Sequence, residues 1–286
     1  MSSNGLLIIG SGPGIGVTAA SLFAQRKYTK IALISRDKTR LFKDRETVLQ
    51  AADSVGKIVE VQTWSVDITN SAAFTAVLKE TEKFATFTCV LFNAARVEPS
   101  NLLAFPEEEI LKDFKARSSI PPPPTHAILV NPFQTTTIAL YTAAQWGLPL
   151  LSALKPEDKP SLLVTSSLLP QQPVPQVFSL SLAKASQRNL VQSLAMTHPD
   201  VHVALLNVGG PVSREDRWFN QPAVCVSSIL HLANLGCADA DNGRNRLRRN
   251  SGNCILRRRI SGRWTWTFWL RSKEERNSKM NHKLQI

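Results

Sequence analysis

The sequence predicts an α/β fold, a mostly parallel, doubly wound sheet held between two layers of helices. Three observations predict it. Short apolar runs recur along the chain, each bounded by turn residues. Segments of helical length separate them, which is the connection that parallel strands need. The first run ends in a glycine-rich turn that leads into amphipathic spacing and not into a hairpin. With 286 residues, 43% hydrophobic and 20% charged, the chain suffices for one α/β domain of ordinary size with a large core. No apolar run approaches the roughly 18 residues needed to span a bilayer, which argues against a membrane partner.

The first strand is Leu6-Leu7-Ile8-Ile9, four apolar residues that read as buried on both faces. Gly10, Gly14 and Gly16 follow with the spacing G-x-x-x-G-x-G, and Ile15, Ala19, Leu22 and Phe23 then fall at helical spacing. A strand, a glycine turn and a helix start make a phosphate cradle: the backbone can approach a pyrophosphate, and the helix offers free N–H groups and a positive dipole end. A second strand, Lys30 to Ser35, ends about 20 residues after the glycines, where such a fold reads the ribose of a dinucleotide. There the chain has Ser35 and Arg36, with Asp37 one step further on. A hydroxyl and a guanidinium suit a 2′-phosphate, so NADP(H) is expected over NAD(H).

Residues 39–55 read as a charged surface helix and 58–64 as a third strand, followed by Val66-Asp67-Ile68. Asp67 also suits a turn or a helix cap. The fourth strand, 87–92, runs into Asn93-Ala94-Ala95. After the acidic patch Glu107 to Glu109 come four prolines, 121–124, which favour an extended polyproline segment and carry no assigned function. Asn131 precedes a helix through Tyr141, Ala144 and Trp146. A fifth strand, 161–165, ends in Ser166-Ser167. A long helix spans 179–196, and a sixth strand, 202–207, leads to Gly209-Gly210-Pro211-Val212. Residues 213–237 are expected over a substrate pocket, with Trp218 and Phe219 as candidate walls.

These ordered motifs resemble the short-chain dehydrogenase/reductase family over about residues 5–215. The resemblance implies a Rossmann-type three-layer sandwich and a dinucleotide held by Gly10, Gly14, Ile15, Gly16, Ser35 and Arg36. It also implies an adenine contact by Asp67, a ribose-facing strand end at Asn93 and a backbone contact of Val212 with the nicotinamide carboxamide. In that family a Tyr-x-x-x-Lys pair works with a serine 13 residues before the tyrosine, and an asparagine in the central helix holds a water of the proton relay. Lys184, Ser167 and Asn131 match the lysine, the serine and the asparagine. Position 180, where the tyrosine belongs, is Leu180, and the chain's two tyrosines, Tyr28 and Tyr141, lie elsewhere in sequence. The chain is therefore similar to an atypical branch that lacks the phenol acid. Ser181 shares a helix face with Lys184, yet an ordinary hydroxyl is far too weak an acid to replace a phenol. The expected function is an NADP(H)-dependent reductase or dehydrogenase of a small, hydrophobic carbonyl or alcohol. The alternative is a degenerate relative that binds the dinucleotide without turnover. Central helices of the family often pair, so a homo-oligomer is an expectation.

The net charge of +12 raises a nucleic-acid partner, but its distribution argues against one for the folded part. Of the 34 Lys and Arg, 13 lie after Cys237, against 4 of the 22 Asp and Glu, so +9 of the charge belongs to that end. The chain divides into a dinucleotide-binding domain, 1–237, and a basic, tryptophan-containing segment, 238–286. Within the latter, Arg263 to Leu270 is a candidate last strand and the rest reads as a solvated tail. Cys89, Cys225, Cys237 and Cys254 show no paired spacing, and the first strand starts too early for a leader, so a cytoplasmic setting is expected.

Overall fold

Apolar runs in this chain become strands whose alternate residues feed two separate cores. The computed structural model describes residues 4–97, 99–100, 102–103 and 134–208, and the backbones of strands within 249–270. Six parallel strands are β1 (Gly5–Ile9), β2 (Lys30–Ser35), β3 (Glu60–Ser65), β4 (Phe87–Phe92), β5 (Ser161–Ser167) and β6 (His202–Val208). Their spatial order is β3-β2-β1-β4-β5-β6. The order in which strands are added therefore reverses between β1 and β4, the switch point at which open α/β sheets bind ligands.

Among the described residues, five α-helices cover the sheet: α1 (Ile15–Arg26), α2 (Lys38–Asp53), α3 (Ser71–Thr81), α4 (Ala139–Ser152) and α5 (Phe178–Thr197). Leu6, Ile8, Leu33, Leu91 and Leu163 point to one face and pack with Phe23 of α1 and Leu41 and Val48 of α2. Leu7, Ile9, Ile34, Phe92 and Val164 point to the other and meet Phe74 of α3, Leu140 and Leu148 of α4, and Val191 of α5. The period of two along each strand is what divides the core this way. Asp37 caps α2 by accepting from the Arg40 N–H, and Asn70 caps α3 by accepting from the Ala73 N–H. A π-helical turn, Gln134–Ile138, precedes α4.

The third strand begins at Glu60 and not at the expected Ile58, which is 95% exposed. Pairing starts where the Glu60 N–H donates to the Thr29 carbonyl, and β3 is the outermost strand on that side, so Ile58 has no neighbour to pack against. Beyond β6 the sheet continues through β9 (Arg263–Leu270), parallel to β6, then β8 (Asn253–Ile260) and β7 (Arg249–Asn250), both antiparallel. The basic run Arg257-Arg258-Arg259, expected in a solvated tail, thus lies on β8. Among the described residues no helix is long and apolar enough to cross a membrane.

Candidate cofactor-binding site

The C-terminal ends of β1 to β4 enclose a cleft of about 460 Å³. Its wall includes Gly10, Gly14, Ile15, Gly16, Ser35, Arg36, Asp67 and Asn93. These eight, spread over more than 80 residues of sequence, are the described members of the expected dinucleotide set apart from Lys184. The volume falls in the range of small-molecule sites.

The glycines of the turn divide by what surrounds them. Gly10 has a φ of +95°, and a Cβ there would lie 2.5 Å from the Ala94 nitrogen; one at Gly16 would lie 2.7 Å from the Gly10 carbonyl oxygen. The fold itself requires these two. A Cβ at Gly12 or Gly14 would meet nothing within 4 Å. Both line the cleft, so a side chain there would take up space that a ligand can use. Helix α1, which starts at this turn, has no side-chain cap and no acidic residue in its first turn. Its free N–H groups and positive dipole end suit an anion, and with the open flank at Gly12 and Gly14 they fit a pyrophosphate.

Asn93 braces the turn from β4. Its side-chain Nδ2 donates to the Gly10 carbonyl at 3.0 Å, and its Oδ1 accepts from the Thr165 hydroxyl at 2.9 Å. The Asp67 carboxylate accepts from both the N–H and the hydroxyl of Thr69, at 3.0 and 2.8 Å, which fixes it at the cleft wall while Asn70 caps the helix. Arg36 is exposed and its guanidinium has no ion-pair partner among the described residues.

Lys184 is not solvated and is not part of the cleft wall. It is 5% exposed on α5, and its Nζ donates to the Thr165 carbonyl at 3.2 Å and to Gln187 Oε1 at 2.9 Å. Gln187, fully buried, donates in turn to the Thr136 carbonyl of the π-helical turn. Burial pushes the Lys184 ammonium down to about 7. Ser167 ends β5 and its hydroxyl accepts from the Leu169 N–H at 3.3 Å. Leu180 is buried one turn before Lys184, and the Ser181 hydroxyl is occupied by the backbone of Val174 and Val177. Tyr28 is buried in the loop after α1 and Tyr141 is exposed on α4.

Comparison with known proteins agrees with this geometry. The family model of the KR domain matches residues 5–117. No curated protein sequence matches the chain. Among solved structures, the NADPH-bound short chain oxidoreductase from Pseudomonas aeruginosa PAO1, described as containing an atypical catalytic center, superposes with a TM-score of 0.67 at 18% identity. That match covers 83% of this chain and 93% of that one. An alcohol dehydrogenase from the archaeon Thermococcus sibiricus, complexed with 5-hydroxy-NADP, gives 0.65 at 20% identity, over 82% and 92% of the two chains. An NADH-dependent reductase, A1-R′, complexed with NAD, gives 0.65 at 14% identity, over 82% and 90%. The chain shares the fold of these dehydrogenases and oxidoreductases.

Within this fold, the chain brings eight of its predicted nucleotide residues together on one cleft, and Lys184 meets Thr165, whose hydroxyl donates to the cleft residue Asn93. Asn131 and Val212, with Trp218 and Phe219, lie outside the described residues. Sequence reading missed Ser11, Gly12 and Thr135 on the cleft wall and the buried partners Asp44 and Gln187. Gly12 carries a signal, since it stands inside the glycine run. Asp44 and Gln187 carry none, because polar residues on amphipathic helices ordinarily face water.

Proposed function

We propose that the chain is an NADP(H)-dependent oxidoreductase of the short-chain dehydrogenase/reductase type, acting on a small, hydrophobic carbonyl or alcohol. The observation that carries this reading is the convergence of Gly10, Gly14, Ile15, Gly16, Ser35, Arg36, Asp67 and Asn93 on one cleft at the sheet's switch point. The glycine turn and the start of α1 bind the pyrophosphate, Asp67 the adenine end, and Ser35 with Arg36 the 2′-phosphate. Asn93 holds the turn in place from below. The cofactor supplies or accepts the hydride when bound. Lys184 holds the nicotinamide ribose and Ser167 the substrate oxygen, with Asn131 and Val212 in the roles the resemblance implies.

Support for a dinucleotide comes also from the similar structures, two of which hold NADPH or 5-hydroxy-NADP and one NAD. The preference for the phosphorylated form rests on Arg36. A titration of the protein with NADPH and NADH tests it: tighter binding of NADPH supports the reading, and equal or weaker binding removes the preference.

Two observations favour a second reading, a dinucleotide-binding protein without turnover. Leu180 is buried where the family's phenol belongs, and two of the hydrogen bonds of Lys184 go to Thr165 and Gln187. A positioned general acid is worth roughly 10² to 10⁴ in rate, so its loss slows an unassisted reduction without forbidding it. Turnover of a carbonyl panel by the wild type and by Leu180→Tyr separates the two. Wild-type turnover supports the enzyme; activity confined to the variant supports the binder.

A further inference from the structure

Asp44 is the one acidic side chain among the described residues that is fully buried, at 1% exposure. A carboxylate out of water is tolerated only when its oxygens are hydrogen-bonded and its charge is paired. Both conditions are met, the hydrogen bond from a residue of the cofactor cleft and the charge pairing from within α2. One oxygen accepts from the hydroxyl of Ser11, a cleft residue, at 2.7 Å. The other accepts from Nε of Arg40 at 2.8 Å, an ion pair across one turn of α2. The packing of α2 on α1 does not need this carboxylate, since Leu41, Val48 and Ala52 already supply its buried face.

The pairing leaves Arg40 in a particular state. Its guanidinium is planar, so a bond at Nε fixes the direction of both terminal amino groups. Those groups have no partner among the described residues, and the side chain is one-third exposed. Arg40 stands in the first turn of α2, whose cap Asp37 follows directly on Arg36 at the cleft. Two arginines thus stand where β2 delivers the chain to α2: Arg36 on the cleft wall, and Arg40 one turn into the helix behind the cap Asp37.

We infer that Arg40 is a second cation for the phosphate on the adenosine ribose, and that Asp44 is its positioning residue, anchored to the phosphate turn through Ser11. The inference rests on the NADP(H) reading above and deepens it. Asp44 touches no ligand in this scheme; it acts through Arg40.

Calorimetric titration of the full chain with NADPH and with NADH tests it, on the wild type, Arg40→Met, Asp44→Asn and the double variant. Arg40→Met keeps the alkyl stem and removes the charge. It should raise the NADPH Kd roughly tenfold or more, the loss of a charged hydrogen bond, while the NADH Kd stays within about threefold. Asp44→Asn should shift NADPH in the same direction, and the double variant should bind NADPH no more weakly than Arg40→Met alone, because both changes act on one contact. Equal weakening of both dinucleotides by Arg40→Met, or no change in either, overturns the assignment. So does an additive double variant. A wild-type chain that binds neither dinucleotide overturns the NADP(H) reading itself, and this inference with it. Should Asp44→Asn fail to fold, Arg40→Met, at a side chain one-third exposed, still decides the point.

Discussion

Gly10 and Gly12 sit two residues apart on one turn and should respond in opposite ways to the same added methyl. At Gly10 the left-handed backbone and the nearby Ala94 leave no room, so Gly10→Ala should cost about 2–4 kcal/mol of stability, read as a lower Tm. Gly12→Ala should leave Tm within experimental error and weaken NADPH binding, because its methyl projects into the open cleft. A glycine pattern in the sequence does not separate these two demands; the surroundings do. His202 gives a second residue-scale prediction. It is buried at the start of β6, and burial pushes its imidazolium down to about 4 from 6.5. The folded state therefore holds the ring neutral while the unfolded chain takes up the proton. Stability from this site is fully present above about pH 6.5 and is lost as pH falls towards 4, by roughly 3 kcal/mol. His202→Gln should flatten that acid limb in urea melts recorded across this range; an unchanged slope would remove His202 as its cause.

On the element scale, α5 shows what periodicity conveys and what it hides. The helix itself and its extent are readable from the spacing of residues, whereas the pairing of Ser167 with Lys184 comes from the family resemblance alone. The burial of Lys184 is not, because a lysine followed by Arg188 looks like a solvated stripe. Its environment comes from β5 and from the π-helical turn ahead of α4, through Thr165 and Gln187, and no local pattern announces a contact across 50 residues. The consequence is measurable. Folded Lys184 is neutral above about pH 7, whereas the unfolded chain stays protonated up to about 10.5. The unfolded state then binds more protons, so this site makes the protein more stable as pH rises from 7 to 9. In Lys184→Met that part of the pH dependence should disappear, leaving the wild-type and variant unfolding free energies converging or diverging steadily across the window. Parallel curves would show that Lys184 is solvated in solution. Caps were equally unequal in legibility: Asn70 and Asp37 follow ordinary capping chemistry, while the uncapped start of α1 is informative only once its open flank is seen.

At the scale of the whole molecule, the six parallel strands were legible because each is a short apolar run set between helical segments, and that alternation admits few topologies. Their spatial order was not read from the sequence, since nothing in an apolar run states its neighbour. Edge strands were placed least well, as at β3, where half the residues face water and the hydrophobic signal is thin. The cleft follows from the order: at a switch point such as β1 beside β4, the connections beyond the strands leave for opposite faces of the sheet, and the eight nucleotide residues meet in the crevice at the carboxyl ends. The measurement that bears most directly on this cleft is thermal unfolding of the full chain with and without NADPH. A ligand held only by the folded state adds about 2.7 kcal/mol at one hundred times its Kd, enough to raise Tm by roughly 5 °C or more for a chain of this size. The cleft predicts that rise, larger for NADPH than for NADH at equal concentration. A melting curve unmoved by either dinucleotide would contradict it.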